Sequence, residues 1–227
     1  MGLPRNYVDT SLILALVAGF CDTATFTAAN QLFSAHVTGN FIVFAYDLVK
    51  GADAETWIKL ISVPVFIAAV MTAGWMAPRL GNDYRLLFIE GIILFGAGVL
   101  TIGLSYFNLQ VAWWSAVMPF VIVWAMGIQN AFGRLYSKAV YAQTTVMTGN
   151  VTQVTLDLSK LLFSRNGDVS AQNVRRQIGI VVLFLAGCVI GAIVASGFGL
   201  WTVLFPGILL VGYFGRNNLM WKTKKVE

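Results

Sequence analysis

Thr38-Gly39-Asn40-Phe41-Ile42-Val43-Phe44-Ala45-Tyr46-Asp47-Leu48-Val49-Lys50 and Thr148-Gly149-Asn150-Val151-Thr152-Gln153-Val154-Thr155-Leu156-Asp157-Leu158-Ser159-Lys160 are two versions of one segment. Both open on Thr-Gly-Asn and both close on Asp-Leu-x-Lys, with nine residues from Thr to Asp in each. The offset is 110 residues, about half of the 227-residue chain. One Thr-Gly-Asn is a weak signal. Two, each followed by the same acid and base at the same distance, mark a duplication.

The match extends outward. Upstream, Gly19-Phe20-Cys21-Asp22 loosely resembles Gly127-Ile128-Gln129-Asn130, with a two-residue length difference before Thr-Gly-Asn. Downstream, Phe66-Ile67-Ala68-Ala69 echoes Phe184-Leu185-Ala186-Gly187. The reading is one membrane domain over 1–227, with a first repeat at 8–108, a second at 112–216 and a basic cytoplasmic tail at 217–227.

Composition sets the solvent. The chain is 58% hydrophobic and 11% charged, against about 25% charged in soluble domains. It holds 22 glycines, which suit close helix approach in lipid. Six stretches satisfy the roughly 20 apolar residues that a spanning helix needs: 11–33, 57–77, 86–106, 113–133, 177–197 and the short 199–214. No alternating pattern supports a β-barrel. The expected fold is all-α and polytopic, with about six transmembrane helices. The N-terminus lacks a small-residue cleavage pattern and reads as part of the first span.

Charge placement gives orientation. With six spans, thirteen of the 15 Lys and Arg fall on the side of the termini, and Lys50 and Lys59 fall on the other. The positive-inside rule places both termini in the cytoplasm. Each repeat holds three spans, an odd number, so the two insert with opposite orientation. Inverted repeats are typical of transporters, with the site near the midplane where the repeats meet. The net charge of +5 is thus a topology signal, not a nucleic-acid signal.

Ala35-His36-Val37-Thr38-Gly39-Asn40, preceded by Gly19-x-x-Asp22 and followed by Thr148-Gly149-Asn150, resembles the YoaK family of bacterial membrane proteins. The resemblance covers nearly the whole chain. It implies the fold and a bacterial inner-membrane location, but no substrate.

Asp22 lies halfway along the first span, where a charge costs about 2.5–3.5 kcal/mol. It reads either as a coupling-ion site or as a structural hydrogen-bonding group. Arg134, one turn beyond Asn130, is its proposed partner; snorkelling to the interface is the other reading of Arg134. Thr25, Gln129 and Asn130 line the same region. Thr38 and Thr148 read as helix N-caps, with Gly39 and Gly149 permitting a break and Asn40 and Asn150 opening the helix. Two such breaks either face one central site for a polar or anionic solute or simply cap two interfacial helices. Asp47 and Asp157 need partners, and Lys50 and Lys160 are nearby. His36 reads as a structural hydrogen-bonding group before a proton shuttle. Glu90, one turn into its span, is expected to reach the interface.

Enzyme motifs are missing from the sequence. One His and the separated Cys21 and Cys188 leave little for a metal, and no cofactor is expected. The expected function is a small inner-membrane transporter of a polar or anionic solute, proton-coupled through Asp22. A channel with the paired breaks as constriction and a non-transporting accessory protein are the alternatives. Six helices enclose little volume, which suits a homodimer.

Overall fold

The computed structural model describes residues 5–107, 112–137, 142–163 and 170–223, with side chains described within 8–107, 117–137, 142–163 and 170–215. Lys138, Arg165 and residues 224–227 of the basic tail, which all enter the charge pattern, lie outside the described residues.

The helices are α1 (Arg5–Ala28), α2 (Gly39–Gly51), α3 (Ala54–Leu80), α4 (Arg85–Tyr106), α5 (Ala112–Leu135), α6 (Met147–Phe163), α7 (Ala171–Phe198) and α8 (Leu204–Thr223). A 3-10 turn, Gly199–Val203, joins α7 to α8. The order is one pattern written twice: a long helix, a short helix, then two long helices.

Four stretches are long and apolar enough to cross a membrane: Val8–Ala28, Ala54–Leu80, Arg85–Tyr106 and Ala171–Gly215. The last, 45 residues long, contains both α7 and most of α8. The helices within them are apolar all round, as membrane spans are. Their outward faces carry Met71 at 69% exposure, Trp75 at 62% and Ile193 at 67%. Such a surface is unfavourable in water and suited to lipid. By contrast, α2 and α6 are short and interrupt their apolar faces with polar side chains.

The first span stops earlier than expected, at Ala28 and not at 33. Asn30 and Gln31 take left-handed backbone angles, with φ of 52° and 60°. That conformation ends a helix, and residues 29–38 cross back toward α1 as an irregular connection. α3 starts on a capping box in which Asp53 accepts from the Thr56 N–H at 2.8 Å. It ends at Gly81, whose φ of 64° favours glycine.

Packing exchanges elements between the two halves. α1 lies along α7, and α3 lies along α5. α4 lies along α8, while α2 and α6 pack on α3 and α7 of their own halves. Glycines set the closest approaches. A Cβ on Gly19 would meet the Phe184 carbonyl oxygen at 2.2 Å, and one on Gly187 would meet that of Leu16 at 2.2 Å. Contact numbers rise together along both helices, so α1 and α7 run parallel. In the other pair, a Cβ on Gly127 would meet Ala69 Cβ at 2.7 Å and the Phe66 carbonyl oxygen at 3.3 Å. Gly91 faces Leu210, Phe95 faces Gly207 and Gly98 faces Leu204, so α4 and α8 run antiparallel. Between these pairs lies an apolar core that includes Leu14, Leu94, Ile122, Met126, Phe132 and Leu210.

Candidate functional site

Asp22 is buried six residues before the end of α1, past the midpoint that the longer expected span gave it, and fixes the connection that follows it. Its Oδ1 accepts from the backbone N–H of Ala35 at 2.7 Å and of His36 at 3.2 Å. Its Oδ2 lies 2.7 Å from His36 Nδ1. A carboxylate can only accept, so Nδ1 carries the proton in this pair. Thr25 Oγ1 donates back to the carbonyls of Cys21 and Asp22, at 3.0 Å each. The His36 ring meets Phe184 of α7 edge-on at 5.5 Å. His36 lies outside the spanning helices, and its hydrogen bond to Asp22 holds its pKa above the ordinary imidazole value against the opposing effect of burial.

This geometry corrects the expected Asp22–Arg134 pair. Arg134 is exposed at the end of α5, as the snorkelling reading has it. Asp22 needs no distant cation because its own chain, thirteen and fourteen residues on, supplies three donors. In the second half, Asn130 Nδ2 donates to Thr145 Oγ1 at 2.8 Å. Neighbouring Gln129 donates from Nε2 to the Leu14 carbonyl and to Thr144 Oγ1, both at 2.9 Å. Aligned residues in the two halves thus tie down aligned connections with different chemistry.

The Thr-Gly-Asn motifs act through Asn, not through Thr. Thr38 has helical backbone angles and makes no side-chain cap. Thr148, Gly149 and Asn150 lie inside the first turn of α6, which starts at Met147. The N-cap reading is therefore corrected for both. Asn40 is fully buried and clasps its own connection: its Oδ1 accepts from the Phe33 N–H, and its Nδ2 donates to the Phe33 carbonyl, both at 2.8 Å. Nδ2 also donates to Ser62 Oγ of α3 at 2.8 Å. Asn150 repeats the clasp seven residues back, donating to the Gln143 carbonyl at 2.6 Å. Gly39 lets the Phe33 ring lie against the helix start, since a Cβ there would sit 3.0 Å from Phe33 Cδ2.

Asn40→Ala strands the N–H and C=O of Phe33. Each unpaired buried group costs about 1–3 kcal/mol, so a loss of about 3 kcal/mol is expected. Asn150→Ala, with one backbone partner, is expected to lose about 1 kcal/mol. Thermal unfolding of both variants in the same detergent reads the difference; equal losses would contradict the Asn40 clasp.

The duplicated acids find third-helix partners instead of Lys50 and Lys160. Lys59 of α3 is buried and lies 2.5 Å from Asp47 Oδ2. Asp157 accepts from Gln153 Nε2 at 2.8 Å and from Gln177 Nε2 of α7 at 3.0 Å. In the register that aligns Phe66 with Phe184, Lys59 aligns with Gln177. The second short helix is thus moored by an amide where the first is moored by a cation. Lys50 lies over the Tyr46 ring. Sequence reasoning missed Lys59 as a site residue; its signal was its position in the repeat.

An open polar cleft of about 250 Å³ borders the Asp47–Lys59 pair, lined also by Asn30, Gln31, Lys50 and Asp53. The two left-handed residues that end α1 thus form part of its wall. Neither Thr-Gly-Asn motif lines it. Glu90 is fully buried in α4 and does not reach the interface, which corrects the expectation for it. It lies five residues after Arg85, about one and a half turns into α4, against the apolar core. Among the described residues, no group of three His, Cys, Asp or Glu is placed to hold a metal ion.

Helices of this length, with apolar outward faces and glycine-mediated backbone contacts, define a helical membrane protein. The sequence profile of the family described as "Protein of unknown function (DUF1275)" matches residues 10–215, and the chain belongs to that family. It is 22% identical over 227 residues to the UPF0700 transmembrane protein YoaK of Bacillus subtilis (strain 168), covering 96% of this chain and 98% of the relative. No solved structure matches the chain.

Proposed function

We propose that this protein is an inner-membrane transporter of a polar or anionic small solute, working by alternating access between two inverted three-span halves. One observation carries the reading: the same contact is made twice with the halves exchanged. Gly19 of α1 faces the Phe184 carbonyl of α7, and Gly127 of α5 faces the Phe66 carbonyl of α3. The sequence aligns Gly19 with Gly127 and Phe66 with Phe184. Such exchange is what a pseudo-two-fold axis between halves produces, and halves related this way can rock about one another. Gly127 lies at Phe66 and Ala69 while Tyr136, just after α5, donates to the Ala77 carbonyl, so α3 and α5 run parallel; this pair, the parallel α1–α7 pair and the antiparallel α4–α8 pair fit a second half inserted upside down. The polar cleft beside Asp47 and Lys59 is a vestibule in this reading. Asp22 and His36 hold the connection behind it.

A second reading, a membrane accessory protein with no conduction path, is favoured by the full pairing of Asp22 and by the apolar core between the halves. Flux into proteoliposomes, across a panel of polar and anionic solutes, separates the two. Saturable uptake of at least one solute is expected. Absence of uptake above protein-free vesicles would leave the accessory reading, and non-saturating flux would make the protein a channel. Orientation is read separately, with single cysteines at Val49 and Phe163 in a background lacking Cys21 and Cys188. Val49 lies two residues before the end of α2 and Phe163 ends α6; they are 86% and 85% exposed. Impermeant thiol reagent should label them from opposite sides; labelling from one side would remove the inverted arrangement.

A further inference from the structure

Glu90 of α4 takes no part in the Asp22–His36 or Asp47–Lys59 clusters. It is fully buried, and among the described residues no group donates a hydrogen bond to either carboxylate oxygen. The neighbouring Gly91 is where α8 presses on α4: a Cβ there would meet Leu210 Cβ at 2.8 Å and the Val211 nitrogen at 2.9 Å. The core around it is apolar, built from Leu86, Leu87, Leu94, Phe132, Leu210 and Phe214.

Among the described residues, the charged groups on the surrounding elements are bonded elsewhere or exposed. Asp22 of α1 is bonded to His36, and Lys59 of α3 is bonded to Asp47. Arg79 of α3 donates to the Trp75 carbonyl, and Arg85 of α4 donates to the Leu80 carbonyl. Arg134 of α5 is exposed. Tyr213 of α8 packs at the edge of the core. Cys21 of α1 is buried within electrostatic reach of Glu90. An ionised carboxylate so buried meets no solvent and, among the described residues, no counter-charge, whereas the neutral acid is tolerated far better.

We propose that Glu90 is a proton-binding site inside the membrane domain, loaded while α4 and α8 are packed and unloaded when their seam opens to water. The step is the simple exchange of one proton between water and one carboxyl group. The unloading half of the proposal rests on the alternating-access reading; the loaded state does not. The packed seam beside Gly91 gives the switch a physical basis. Two helices in backbone contact exclude water from Glu90, and a small separation admits it.

Infrared spectroscopy of the lipid-reconstituted protein tests this without a known solute. At neutral pH the parent should show a protonated-carboxyl carbonyl band that moves in heavy water. Glu90→Gln should lose that band, while Asp22→Asn and Asp157→Asn keep it. Should Glu90→Gln fail to fold, Glu90→Met serves the same assignment. Raising the pH should remove the band reversibly. Absence of the band, a band that survives both Glu90 variants, or loss of a carboxylate band instead would overturn the proposal; the last would mark a charged Glu90 that holds a cation. A carbonyl band that persists to alkaline pH would overturn the unloading step. Failure of every flux assay with the band in place would remove the transport reading alone.

Discussion

Gly187→Ala is expected to destabilise the protein by about 3 kcal/mol, and Gly187→Val to prevent folding. The added carbon would sit 2.2 Å from the Leu16 carbonyl oxygen and 3.0 Å from the Phe20 nitrogen. Overpacking usually costs about 1–3 kcal/mol because side chains turn aside. Here the obstacle is the backbone of α1, which cannot rotate away, so the helices themselves must separate. Separation would also break the same approach at Gly19, whose Cβ would meet the Phe184 carbonyl oxygen at 2.2 Å. Gly96 and Gly103 in α4 have open space where a Cβ would go. Alanine at either should be neutral or stabilise by up to about 1 kcal/mol, since glycine is a weak helix former. Thermal unfolding by size-exclusion in detergent would compare the four glycines. A Gly187→Ala protein that melts with the parent would mean that the α1–α7 contact is looser than described.

The second large effect is expected at Asp22. Asp22→Ala leaves the N–H groups of Ala35 and His36 unpaired in the interior, at about 1–3 kcal/mol each, so a loss of about 3–4 kcal/mol follows. Asp22→Asn keeps an acceptor for both and should lose only about 1 kcal/mol; the second half carries Asn130 at this position. The remaining difference depends on pH. Asp22 raises the His36 pKa above the ordinary imidazole value. A raised basic pKa means that the folded state holds the proton more tightly, so its stabilisation is complete below the ordinary value. It disappears as pH rises through the raised one. Unfolding curves of parent and Asp22→Asn should therefore converge on passing from mildly acidic to alkaline pH. Curves that stay a fixed distance apart would show that the His36 proton plays no part.

The matching of the two segments was legible because it is written in letters: Thr-Gly-Asn, Asp-Leu-x-Lys and a constant spacing. The apolar helices were legible because lipid demands length and hydropathy. The partners of each residue were not. Asp22 was matched to Arg134 on alignment, yet the true partner is His36, fourteen positions on. That proximity depends on where the chain turns after Ala28, and the turn is made by Asn30 and Gln31 in a conformation that no periodicity announces. Thr38 had the composition of an N-cap, but Asn40 reached back to Phe33 and left the threonine unused. Lys50 was near Asp47 in sequence and Lys59 near it in space, because α3 folds back along α2. Gly19 and Gly96 look alike in sequence; only the packing reveals that one is pressed against another helix and the other is not.

The swapped pairing has a consequence for how the chain is made. Gly19 waits for Phe184, roughly 165 residues later in synthesis, before its closest neighbour exists. Until then the first helix stands in the bilayer with its tightest face turned to lipid. Neither half can reach its final shape alone, since each supplies the wall against which the other closes. A truncated chain ending after α4 would thus be an open clasp, a ready target for quality-control proteases. Contacts exchanged in this way make the two halves of the chain dependent on each other.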